Sequence, residues 1–106
     1  MINVLYDPET ITMRLTGHAG SAEPGKDLVC AAASALIYAL AGACECHAED
    51  GKIASVESKM LPGDALVHIK PTTDAPDVAH LVMESFVYGF QMLAESYPEY
   101  VRFTQI

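Results

Sequence analysis

The chain has 106 residues, half of them apolar, a formal net charge of −8 and only six Lys and Arg. That length fits a single domain, residues 1–106, with a core that needs no staples. So few cationic side chains exclude a nonspecific nucleic-acid binder, because phosphate affinity comes from clustered Lys and Arg. Three cysteines, an odd number without framework spacing, argue for a reducing compartment, and no basic n-region or cleavage site opens the chain. The expected location is cytoplasmic.

In chain order, Ile2 to Tyr6 and Ile11 to Thr16 read as two strands joined by a type I turn at Asp7-Pro8-Glu9-Thr10. The second strand alternates, with Ile11, Met13 and Leu15 facing one way. His18 continues its polar parity just beyond the strand end, which predicts an accessible imidazole. Residues 19–26 carry Gly20, Pro24 and Gly25 and no apolar period, the composition of a mobile loop. An ordinary surface connection has the same composition.

Asp27 is a suitable N-cap for a helix running to about His47 or Ala48. The uncharged run Leu28 to Cys44 is 17 residues long and rich in Ala, Gly and Ser. It sits at the lower limit for a membrane span, but its Ala, Gly and Ser contribute little transfer free energy, and it reads as a central core helix covered on several sides. Strands follow near Ile53 to Lys59 and Ala65 to Lys70, with Leu61-Pro62-Gly63-Asp64 between them. Asp74 is a candidate cap for a second helix that ends before Pro98. Val78, Leu81, Val82, Ser85, Phe86, Gly89, Met92 and Leu93 form its stripe at spacings of three and four. Tyr100 to Gln105 alternates as a final strand. The order ββαββα plus a strand predicts an α/β (α+β) two-layer sandwich, one mixed or antiparallel sheet covered by two helices.

The chemistry concentrates in residues 17–34. Cys30 falls about three positions into the first helix, where free N–H groups and the helix dipole favour an anion and could receive the oxyanion of an attacked carbonyl. His18 has the chemistry of its general base. Taken alone, each has a commoner alternative, a buried structural cysteine and a surface histidine. Asp27 caps the helix and could also orient the imidazole. Cys44, Cys46 and His47 form one tight group where a zinc site needs two converging pairs, so no metal is expected. Phe86, Tyr88, Phe90 and Met92 of the second helix suit a core or a dimer face rather than a cofactor site, and no cofactor is expected.

Gly17-His18-Ala19, a short loop, then Gly25-Lys26-Asp27-Leu28-Val29-Cys30-Ala31-Ala32-Ala33-Ser34-Ala35-Leu36 resembles the signature of the ribosomal-processing cysteine protease family Prp. Length, element order and the aromatic Val87-Tyr88-Gly89-Phe90 extend the resemblance over almost the whole chain; Ala33 departs from it, where a larger apolar residue is expected. The resemblance implies a homodimeric cytoplasmic endopeptidase that removes the short N-terminal extension of large-subunit ribosomal protein twenty-seven, cutting after an aromatic residue. It maps Cys30 to the nucleophile and His18 to its base. Asp27, Gly17 and Ser34 become supporting residues, and Gly20, Pro24 and Gly25 fall in a loop that moves for substrate. The other reading is a ribosome-associated peptide-binding module without turnover.

Overall fold

The structure is a computed structural model that describes residues 1–23 and 27–106. Its elements are β1 (Ile2–Asp7), β2 (Thr12–Thr16), α1 (Leu28–Glu49), β3 (Ile53–Leu61), β4 (Asp64–Pro71), α2 (Val78–Ser96) and β5 (Val101–Gln105). The five strands form one open sheet in the order β3-β4-β2-β1-β5. Its pairs are antiparallel except β1–β5, which is parallel, so the sheet is mixed. Both helices pack on one face of it, α1 nearer β3 and β4, α2 nearer β5. The expected two-layer sandwich is therefore the observed one, final strand included.

Strand alternation explains which face the helices cover. Ile2, Val4 and Tyr6 of β1, Met13 and Leu15 of β2, and Val67 and Ile69 of β4 all point into the interlayer core. From α1 they meet Val29, Ala33, Ile37, Leu40, Ala41 and Cys44. From α2 they meet Ala79, Met83, Val87, Phe90 and Leu93. Each large aliphatic side chain buried this way stabilises the fold by about 1.5–3 kcal/mol. Burial, reinforced by the nearby Glu45 charge, pushes the Cys44 thiol up to about 11, so this cysteine stays protonated and inert at neutral pH.

Four local expectations need correction. The α1 helix is covered on one face only, and Leu28, Tyr38, Ala39 and Gly42 lie exposed on its outer side. An all-round apolar helix does not reveal which side the sheet takes. The stripe expected of α2 is right in part: Leu93 is buried and Val78, Val82 and Phe86 pack against the core, but Leu81, Ser85 and Met92 face outward, and Ala79, Met83, Val87 and Phe90 are buried in their stead. The N-cap of α2 is Asp77, which makes no side-chain capping bond; Asp74 sits outside the helix, where the preceding turn is held by the Ala75 amide donating to Thr72 Oγ1. Finally, Ile11 is the last residue of the β1–β2 loop, not the first of β2, and has φ +52. A β-branched residue is strained there. Its nearly complete burial and the bond from the Ile69 amide to its carbonyl hold it in place.

Tyr6 is buried, yet its hydroxyl finds no protein partner among the described residues. Desolvation first, then the charges of Glu84 and Asp7, raise its pKa. An unpaired buried hydroxyl is costly, so Tyr6→Phe is expected to leave stability unchanged or raise it by about 1 kcal/mol. Urea denaturation of the two proteins side by side measures this; a clear loss of stability would mean that the hydroxyl is bonded after all.

Candidate active site

A cleft of about 250 Å³ opens between the start of α1, the end of β2 and the β3–β4 turn. Cys30 and His18 both line it, and so does Ser34, one helical turn beyond Cys30. Cys30 is the third residue of α1 and half-buried, while His18 is exposed two residues past β2, as the strand parity predicts. Gly17 has φ +89, and a Cβ there would collide with the carbonyl oxygen of Met1. Only glycine lets the chain turn so tightly before His18. The carbonyl of His18 accepts the Met1 amino group at 2.6 Å, which fixes the backbone that carries the imidazole.

Asp27 ties two segments together. Its Oδ1 accepts the amides of Val29 and Cys30, each at 3.0 Å, and the hydroxyl of Ser21; its Oδ2 accepts the Ser21 amide at 3.0 Å. The Ser21 hydroxyl foremost, then the Cys30 amide, hold its carboxyl well below the usual carboxylate range. Asp27 is thus the expected cap, but it bonds Ser21 and not the His18 ring. Among the described residues the imidazole makes no hydrogen bond to Cys30, whose Sγ accepts the Ala19 amide at 3.3 Å.

One expectation changes as a result. The free amides at the start of α1 are expected to receive an oxyanion, and the capping carboxylate already occupies two of them, those of Val29 and Cys30, being the stronger acceptor. The backbone donor directed at the thiol is Ala19 N–H. Gly20 has φ +69 and open space where a Cβ would stand, so its lack of a side chain serves conformation and not contact. Pro24 and Gly25 of the expected mobile loop lie outside the described residues.

Sequence reasoning did not find the far wall of the cleft. Ile37 and Tyr38 from α1 face Met60 and Leu61 from the end of β3, and Pro62 and Gly63 close the rim beside His18. The Pro-Gly turn was legible, but its position was not. Its place follows from the register Thr16↔Asp64, which sets the turn against Gly17 and His18. No local pattern encodes a pairing between residues nearly fifty apart.

A thiol at a helix start and an imidazole at a strand end share one cleft of a two-layer α/β sandwich, the pair of groups a cysteine peptidase uses. The model of the family described as cysteine protease Prp matches residues 1–102, and the chain belongs to that family. It is similar to the ribosomal processing cysteine protease Prp of Mycoplasma genitalium, 38% identical over 85 residues, which span 80% of this chain and 78% of that one. Among solved structures, the ribosomal processing protease Prp of S. aureus in complex with a covalently linked product peptide superposes with a TM-score of 0.76 at 24% identity, over 100% of both chains, and shares the fold. A Streptococcus mutans protein, SMU.848, superposes with a TM-score of 0.69 at 30% identity, over 99% of this chain and 91% of that one.

Proposed function

We propose that this peptidase removes the N-terminal extension of the precursor of large-subunit ribosomal protein twenty-seven, with Cys30 as nucleophile and His18 as base, in the cytoplasm and as a homodimer. The observation that carries this reading is the cleft lined by both Cys30 and His18, with the Ala19 N–H donating to the Cys30 sulfur. The ribosomal-processing name of the Mycoplasma relative and the peptide held by the S. aureus structure support the substrate class. Ile37, Tyr38, Met60 and Leu61 give the cleft apolar walls that suit an aromatic side chain before the cut bond.

In this mechanism His18 takes the proton of Cys30, and the thiolate adds to the scissile carbonyl. The Ala19 N–H, which donates to the Cys30 sulfur, is a backbone donor at hand for the developing oxyanion. His18 then gives its proton to the departing amine as the C–N bond breaks, leaving a thioester. Water, deprotonated by His18, adds to the thioester, and the released Cys30 sulfur recovers the proton. The exposed Leu81, Tyr88 and Met92 of α2 support the dimer, since a second copy would cover them. The net charge of −8 suits a basic ribosomal protein and repels naked RNA.

The test is incubation with a synthetic peptide copying that extension from the same organism, read by mass spectrometry. One cut, directly after an aromatic residue, is the expected result. Tight binding of the intact peptide without any cut would favour a binding module instead.

A further inference from the structure

The β3–β4 turn does more than close the cleft. Gly63 has φ +72, and a Cβ built on it would stand 2.7 Å from His18 Nε2, 3.2 Å from Cε1 and 3.4 Å from Cδ2. The ring edge therefore rests on the bare Cα of Gly63, in space that any side chain would fill. The turn is also fastened to the segment that carries the histidine. Gly17 N–H donates to the Gly63 carbonyl at 2.9 Å, one residue before His18. Asp64 pairs with Thr16 across the β2–β4 ladder, and its carboxylate meets Arg14 at 3.3 Å and also Lys59. Such surface ion pairs add little stability singly. Here they converge on the residue that follows Gly63 and fix the turn relative to β2.

We infer that Gly63 is a positioning residue for the peptidase reaction: its missing side chain sets where the His18 imidazole stands relative to Cys30. The inference rests on the reading of His18 as the base. Ordinary contact begins near 3.4 Å, so a methyl group at 63 makes the ring retreat by more than half an ångström. Displacement of about 1 Å from reacting geometry costs up to about a hundredfold in rate.

A control for backbone strain is built into the chain. Gly51, in the turn after α1, has φ +74, and a Cβ placed on it would meet nothing within 4 Å. Gly63→Ala and Gly51→Ala therefore carry the same left-handed penalty, and only the first touches the histidine. The experiment compares wild type, His18→Ala, Gly63→Ala and Gly51→Ala by Tm, by kcat and KM on the extension peptide, and by the pH profile of Cys30 alkylation with iodoacetamide. The two glycine variants are expected to lose similar Tm. Gly63→Ala is expected to lose at least about tenfold in kcat with KM within about twofold, and its alkylation profile to move toward that of His18→Ala. Gly51→Ala keeps the wild-type profile and kcat.

If Gly63→Ala matches Gly51→Ala in kcat and profile, the inference is overturned while the His18 reading stands. If His18→Ala itself alkylates and cleaves like wild type, the base assignment fails and the inference with it. Should Gly63→Ala not fold, Gly63→Asn against Gly51→Asn gives the same comparison, because asparagine accepts positive φ while carrying the Cβ.

Discussion

Replacing Cys30 by alanine is expected to slow cleavage of the extension peptide by about ten-thousandfold or more, with peptide affinity and Tm little changed. The thiol is half-buried at the cleft surface, where its sulfur accepts the Ala19 amide. Removing the sulfur therefore opens no large cavity and strands no buried charge. The other two cysteines cannot substitute: Cys44 is buried with its thiol held protonated, and Cys46 lies exposed far along the same helix. Cleavage and isothermal binding, measured on the same variant, make the check. A variant that still cuts would remove Cys30 from the chemistry, whereas a parallel loss of binding would make the residue structural.

Asp27→Ala is expected to lower the cleavage rate by about a hundredfold and Tm by about 5 °C, because it releases two things together. The first turn of α1 loses the acceptor for the Val29 and Cys30 amides, and Ser21 loses its anchor. The pH dependence has a definite sign. Hydrogen bonds to the ionised carboxylate lower its folded-state pKa, so its contribution is complete above the unfolded value of about 4 and drains away as pH falls below that. The stability gap between wild type and Asp27→Asn should be widest near neutrality and shrink on acidification below about pH 4. A gap that stayed constant from pH 7 to pH 3 would show that the carboxylate charge plays no part. Thermal melts across that range, paired with cleavage rates at neutral pH, report both effects.

How much of this was legible in the sequence differs residue by residue. Asp27 and Cys30 were readable because a cap and a helix start are local patterns, three residues apart. The exposure of His18 was readable because strand parity is local too. Ser21 as the partner of Asp27 was not readable: loop composition gives no pairing, and the imidazole satisfied the spacing equally well. Capture of the first-turn amides by Asp27 was implicit in its capping role, yet it competes with the oxyanion function of the same amides, and only geometry shows which claim prevails. The buried faces of α1 and α2 were obscure for a different reason. α1 is apolar nearly all round, so periodicity has no contrast from which to choose a side, while the apolar residues of α2 spill beyond its buried face and blur the stripe.

The strand order has a consequence for when the enzyme becomes competent. β2, which presents His18, needs β4 as its neighbour, and β1 lies between β2 and β5. The cysteine and histidine are both made within the first thirty residues, but the wall that frames them arrives with residues 60–65 and the edge strand that flanks β1 with Val101–Gln105. A chain emerging N-terminus first therefore carries its reactive groups long before it can assemble them.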